Sequence, residues 1–594
     1  MKIYNSENWF FKLGLVGFNR IMEYNKSQNN LELDKYNYKV NEEFIEFDYE
    51  LLEEFPSCYF NYFINEYNAS VTLEEKLIKL VNGAKVKENF KNNLTKIKTT
   101  MKKRNDDIDK LSVSGIDKCK EIYNLLSKIK FENIEELEKL IKNYQEINNQ
   151  ENINIDLSIN AFRDACYKSF FGQYSFFNRS LTSRSVKEKK NILYNDFVKA
   201  VIESEKFKNV DHKKDIELKA FIDEQIKDIP KGKHNDVEKV LSQIDKSMFG
   251  KKKKVQSVDE ILGNYNTCSF CDDNISFGSD YTDGNFIPLA ISNSNCRNLF
   301  WNFNDKFPIC PLCKLVLLCT PAGCTEVFKG YLSDKYDKKY YGFVSMDGDL
   351  YELIKQNNNF RKTSKRGAAF EEFILDSIKK NKKISTWQLE NILYIEFNAD
   401  YRSKNSKLNY YNIPTYLARF LRDNSGMFDK IVNYKERMKV FDIILQRKDL
   451  KHIIDLELRE SIKGDGYNNT MPLIKIRNYL KQYKGGCKSV DKIASKNLSF
   501  LYFQGLDISK IYKNSNSENK IPGLSYRLLN AAKADNKKEF MDTIIRIYMS
   551  VEKEIPMLFL EVMKEDKLDF QEIAHSFITG LNSKNKEEGE KENE

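Results

Sequence analysis

Histidine, proline and tryptophan are scarce: the 594 residues hold 4 histidines, 10 prolines and 3 tryptophans. His212, His234, His452 and His575 are far apart, none lies in H-E-x-x-H, and none is followed by an aspartate. A helical metalloprotease site is therefore not legible. The G-x-x-x-x-G-K-[ST] phosphate loop and the G-x-S-x-G nucleophile elbow are also missing. The expectation from these absences is a protein that is not an enzyme. A carboxylate-only site would leave little trace, so an enzyme with such a site stays a third reading. Asp347-Gly348-Asp349 is read as a turn and not as a pair of metal-binding carboxylates. No run approaches the ~18 apolar residues of a membrane span. The opening MKIYNSENWFF lacks the basic and apolar regions of a secretory signal. A cytosolic protein with no membrane partner is expected, in a compartment where thiols stay reduced and clustered cysteines bind metal more often than they pair.

What is present is a folded chain. Hydrophobic residues make up 41% and aromatics 13%, and 594 residues are long enough for roughly two to four domains. The net charge of +9 is small for the length and matters only where it is clustered.

The cysteines are clustered. Of 11 in the chain, Cys310, Cys313, Cys319 and Cys324 fall within 15 residues, in FPICPLCKLVLLCTPAGC. Upstream lies CSFC, with Cys268 and Cys271. Two C-x-x-C knuckles supply four thiolates, a full tetrahedral shell for a structural zinc with no position left for water. The 38 residues between the pairs exceed the common spacing, but closure entropy grows only logarithmically with loop length. Cys319 and Cys324 are read as small buried apolar residues. A rival pairing of Cys310/Cys313 with Cys319/Cys324, or replacement of one ligand by either, stays open.

Along the chain, Trp9, Leu13, Val16 and Arg20 are spaced for a helix from about Asn8 to Tyr24. Gly14 and Gly17 within it are read as close-packing positions rather than a nucleic-acid-clamping loop. Thr72 with Glu75, and Asn133 with Glu136, read as helix starts. The charged faces of region 72–150 read as solvated. NILYIEF (391–397) and YYGFVSM (340–346) read as strands. From about Asn469 the chain reads as nearly all helical. Asp569 and Glu572 form a capping pair, and Phe570, Ile573, Phe577, Ile578 and Leu581 form one apolar stripe.

The basic residues give a second set of candidates. The segment 161–190 interleaves aromatics with Asn178, Arg179 and Arg184, a composition that can stack bases and grip phosphates or form a core edge and a polar loop. From Arg179 to Lys254 there are 20 Lys/Arg against 13 Asp/Glu. The excess peaks at Lys231 and Lys233 and at Lys251, Lys252, Lys253 and Lys254, read as phosphate contacts. Arg297 lies in the Asn- and Ser-rich stretch between the cysteine pairs and is a further base-reading candidate.

NWFFKLGLVGFNRIME, with its Gly-x-x-Gly-aromatic signature, and the CSFC and CPLC pairs followed by LLCTPAG resemble the large subunit of the type I-B CRISPR surveillance complex, Cascade, in its zinc-containing variety. The resemblance implies a non-catalytic subunit without the Gly-Gly-Asp-Asp palm motif of type III large subunits. Its partners would be guide RNA, target double-stranded DNA, the other Cascade subunits and a helicase-nuclease recruited on target binding. The subunit would bind the guide's 5′ handle, recognise the protospacer-adjacent motif and aid R-loop formation, while base pairing supplies sequence specificity. Some type I-B genes also yield a small subunit by internal translation, and Met471 would begin such a piece of 124 residues.

The fold expected is α+β and predominantly helical, a mixed N-terminal body with a four-cysteine zinc insert and a C-terminal helical bundle. Its parts are a basic, aromatic-rich region (1–262), the insert (263–330), the mixed remainder of the body (331–465), the bundle (466–582) and a disordered tail (583–594). The alternative function is a stand-alone zinc-containing nucleic-acid-binding or scaffold protein of another defence system.

Overall fold

The computed structural model describes residues 1–111, 116–167, 174–178, 184–226, 229, 234–250, 257–282, 306–328, 339–364, 370, 373–374, 389, 391–400, 405–464, 470–487, 489–564 and 568–583. The chain divides into two compact units. One takes in Met1–Thr325, Tyr341–Asn358 and Glu396–Asn409, and the other Glu326–Tyr340, Asn359–Ile395 and Tyr410–Glu594. The protein is predominantly helical with small sheets, as expected from its sequence. Among the described residues no helix is long and apolar enough to cross a membrane.

The first unit is built around helix α1, Trp9–Ser27. Asn8 caps it, its side chain accepting from the backbone N–H of Phe10 and Phe11. Every residue from Phe10 to Met22 is buried, Lys12, Asn19 and Arg20 included. An all-round buried helix belongs to the centre of a core. Beside it strands β1 (Lys2–Tyr4), β2 (Lys39–Val40) and β3 (Phe44–Glu46) form an antiparallel sheet in the order β1-β3-β2, with Ile3 opposite Ile45.

Helix α2, Leu51–Glu66, carries Phe55, Tyr59, Phe60 and Phe63 into the same core. Phe63 stacks on Phe162 with centroids 3.7 Å apart, and Phe60 meets Phe176 and Phe177 edge-on. Phe162, Tyr174, Phe176 and Phe177 of the 161–190 patch are thus core and not a platform for bases.

Helices α3 (Ala69–Ala84) and α4 (Lys87–Asp109) pack with Ile134–Asn148 and Glu151–Phe162 over a second core that includes Leu77, Ile97, Met101 and Tyr144. Thr72 is not the cap of α3. Asn68 starts the helix one turn earlier by accepting from Ser70 and Val71 N–H, and the Thr72 hydroxyl donates to the Asn68 carbonyl. A third small core gathers Val237, Leu241, Ile244 and Ile261.

The expected strands are found at Lys339–Met346 and Ile392–Asp400. Asp347 and Asp349 flank a turn, and Asp349 accepts from Glu352 N–H at 2.6 Å.

In the second unit every described element from Thr415 onward is helical. Its centre is the pair Lys492–Asn514 and Phe570–Leu581. Asp569 and Glu572 form the capping box read from sequence, and all five residues of the stripe are buried.

Candidate metal centre

Two local devices present the thiols. In the first, Cys268 N–H donates to the Asn274 carbonyl at 2.8 Å and Asp272 N–H to the Cys268 carbonyl at 3.0 Å. Asp272 takes a left-handed backbone, φ 55°, which lets the knuckle close. In the second, Cys310 is the N-cap of the helix Pro311–Leu318, with Pro311 in the position where a missing N–H is harmless. Strands β4 (Asp280–Thr282) and β5 (Lys306–Pro308) pair antiparallel, Tyr281 opposite Phe307. The knuckle is tied to β5 by Ser269 N–H donating to the Pro308 carbonyl at 2.9 Å.

The four Sγ atoms of Cys268, Cys271, Cys310 and Cys313 lie within 4.8 Å of one another. Cys271 and Cys310 are 3.9 Å apart. Four ligands at ~2.3 Å in a tetrahedron stand roughly 3.8 Å apart, so the cluster matches that shell. Three thiols are buried and Cys271 is half-buried. Donors point at the sulfurs: Phe270 N–H to Cys268, Cys313 N–H to Cys310, and Asn274 Nδ2 to Cys271 at 3.3 Å. Such donors favour thiolate over thiol. Hydrogen bonds from the Cys268, Cys310 and Cys313 thiols push Cys271 well below the usual thiol range. Cys310 and Cys313 are pushed the other way, up, by their bonds with Cys268 first and then with Cys271. Close thiols that cannot all ionise alone are a donor set that a cation completes. The four cysteines can hold a metal ion.

Cys319 and Cys324 stand apart from this cluster. Their thiols donate to the Leu315 and Thr320 carbonyls, as buried free cysteines do, and burial pushes both pKa values up.

The centre is fastened to α1. Phe11 stacks on Phe270 with centroids 6.0 Å apart, and Phe10 meets Tyr281 edge-on. A Cβ on Gly17 would stand 1.9 Å from the Cys319 carbonyl oxygen, and one on Gly323 would stand 2.0 Å from that of Leu13. Buried Arg20 donates through Nη1 to the carbonyls of Ala322 (3.0 Å), Gly323 (2.8 Å) and Cys324 (3.2 Å), and through Nη2 to that of Asn357 at 2.8 Å. The spacing of C-x-x-C pairs carries no sign of Arg20 or Asn274. GLVG was the one visible hint of the helix contact.

Of the nucleic-acid candidates, Asn178 and Arg184 are both exposed, and Arg184 precedes the capped helix Val186–Leu193. Arg179, Lys231, Lys233, Lys251, Lys252, Lys253, Lys254 and Arg297 lie outside the described residues.

No curated protein and no solved structure matches the chain significantly. Residues 262–325, which contain both C-x-x-C pairs and the CTPAGC segment that meets α1, match the model of a family described as CRISPR-associated protein (Cas_CXXC_CXXC). The match covers a small part of the chain, falls on the thiol cluster and indicates a CRISPR-associated protein.

Proposed function

We propose that the protein is the large, non-catalytic subunit of a type I-B Cascade and that its four-cysteine centre holds a structural zinc. The observation that carries this reading is the union of two motifs. The Gly-x-x-Gly helix and the cysteine pairs, over 240 residues apart in sequence, pack as one piece. Zinc held by Cys268, Cys271, Cys310 and Cys313 would fix the two knuckles against each other and leave no coordination site for substrate. Around that base the protein would bind the guide's 5′ handle, read the protospacer-adjacent motif and help open the duplex. Lys231, Lys233 and Lys251 to Lys254 would hold phosphates, and Asn178, Arg179, Arg184 and Arg297 would reach base edges or a groove. Cutting is left to a helicase-nuclease that joins on target binding.

The test is sequencing of small RNA that co-purifies with the tagged protein from its native cells. Short RNAs sharing one repeat-derived 5′ handle are expected. Their absence in cells shown to express such guides overturns the reading, and a stand-alone zinc-containing nucleic-acid-binding protein replaces it.

A further inference from the structure

Between Glu88 and Asp106 the chain carries Lys91, Lys96, Lys98, Lys102, Lys103 and Arg104, and no carboxylate. The whole stretch lies on α4. Leu94, Ile97, Met101, Asn105 and Ile108 take the helix's buried side. Arg104 turns toward it, donating to the Ala69 carbonyl at 2.6 Å. The Tyr144 hydroxyl donates to Asn105 at 2.7 Å, so the helix is fixed from beneath. The five lysines fall on the remaining circumference. Lys91, Lys96, Lys102 and Lys103 are exposed, and Lys98 is half-buried.

Solvated helix faces usually alternate in sign, because neighbours of opposite charge stabilise a helix and like charges four apart destabilise it. The surroundings of this stretch follow that rule, with Lys85–Glu138 at 2.7 Å, Lys110–Asp107 at 3.2 Å and Lys120–Asp109 at 3.0 Å. Among the described residues none of the five lysines has an ion-pair partner. Thr95 and Thr99 donate their hydroxyl protons to the carbonyls of Lys91 and Thr95. Exposed Glu88 and Asp106 bound the face at its two ends, Asp106 four residues after Lys102, and between them what it offers a ligand is ammonium groups.

We infer that this face of α4 grips the phosphate backbone of a nucleic-acid duplex. Lysines bind phosphate as point charges without reading bases. Single-strand binding draws on aromatic rings that stack bases, and this face has none, since Phe90 packs edge-on against Phe131. Lys91 to Lys103 span about 18 Å of helix, close to five steps of ~3.4 Å along one strand of a duplex. The inference rests on the nucleic-acid-binding part of the function proposed above and adds to it a surface distant in sequence from the other basic segments.

The test uses the full-length protein with Lys96→Ala, Lys98→Ala, Lys102→Ala and Lys103→Ala combined. Alanine favours the helix, so an unchanged melting temperature checks that the variant folds. The probes are a labelled DNA duplex of roughly 30 base pairs and a single-stranded RNA of equal length, titrated over about 50 to 200 mM KCl. Duplex affinity is expected to fall about tenfold or more at the low-salt end, and the salt slope to shrink by about one per contacting lysine. RNA affinity should hold, as should duplex affinity after Lys492→Ala with Lys496→Ala on the second unit's central helix. Unchanged duplex affinity and slope in a folded variant overturn the inference and leave the proposed function standing. A loss confined to the RNA probe overturns the assignment to a duplex. A wild-type protein that binds neither probe overturns both the inference and the nucleic-acid-binding reading beneath it.

Discussion

Gly17 has no room for a methyl group, because its neighbour is the backbone oxygen of Cys319 and backbone does not yield as a side-chain tip can. Gly17→Ala is expected to reach or exceed the upper end of the ~1–3 kcal/mol typical of overpacking, read by denaturant unfolding. Gly426→Ala, with nothing within 4 Å of the added atom, should stay within about 0.5 kcal/mol of wild type. A second residue gives a pH signature. Glu203 is buried, and burial pushes its carboxyl up to about 7. Asn235 Nδ2 donates to it at 2.8 Å, while Lys199 is shared with buried Glu238 at 2.5 Å. The folded state holds the Glu203 proton more tightly than the unfolded chain does. Its contribution is therefore complete below about pH 4.5 and is lost as pH rises through about 7, on the order of 3 kcal/mol in all. Glu203→Gln should remove that slope, so that melting temperatures compared from pH 5 to pH 8 show the variant gaining on wild type toward the alkaline end. A flat wild-type profile would refute the assignment.

At the scale of elements, both units use the same device. Gly505 and Gly580 let the helices Lys492–Asn514 and Phe570–Leu581 cross almost in backbone contact. A Cβ on Gly580 would lie 1.9 Å from the Tyr502 oxygen and one on Gly505 would lie 2.2 Å from that of Phe577. The apolar stripe of the last helix was legible because a 3.6-residue period survives any tertiary context. Gly580 lies one residue before the end of its helix, where a glycine in the sequence does not reveal whether it serves a turn or a neighbour. Thr72 misled for a related reason, because Asn68 lay one turn upstream and caps at least as well. Long-range polar pairs left no trace at all. Buried Arg477 makes a two-pronged bond to Asp449, Nε–Oδ1 at 2.6 Å and Nη2–Oδ2 at 2.9 Å, and a third to Asp569 at 2.8 Å. Buried His575 meets Asp455, 120 residues away, at 2.9 Å. Arg477→Ala would leave Glu572, which is buried, beside Asp569 without that cation. About 3–5 kcal/mol of stability should be lost, seen as a lower denaturant midpoint, and Arg477→Lys should recover only part of it because one ammonium cannot replace the fork.

These contacts bear on the whole molecule. A product starting at Met471 would begin inside the helix Thr470–Lys484 and lack both Asp449 and Asp455. It would leave Arg477 without its two-pronged partner and His575 without its acid. A separate small subunit begun there would need its own source for those contacts. The sequence pointed to Met471 because a helical region follows, but helix boundaries do not record which helices share a buried ion pair.

The cysteine pairs were legible because C-x-x-C is a local pattern; what they hold up was not. Read along the chain they form an insert, yet Phe270, Tyr281 and Cys319 meet α1, which is buried on every side from Phe10 to Met22. The two descriptions predict different responses to metal loss. A detachable insert would loosen alone and leave the body's unfolding unchanged. A base that Phe10, Phe11, Gly17 and Arg20 all rest on should carry the body with it. The binding energy of a structural site is folding energy. Chelation, or Cys271→Ser with Cys313→Ser, is therefore expected to lower the first unit's unfolding transition as a whole. Amide hydrogen exchange checks this, with protection lost across Phe10 to Met22 as well as in the knuckles. Acid should act in the same direction, because protons compete with the metal for thiolates. Exchange that rises in the knuckles while the α1 amides stay protected would make the centre an appendage after all.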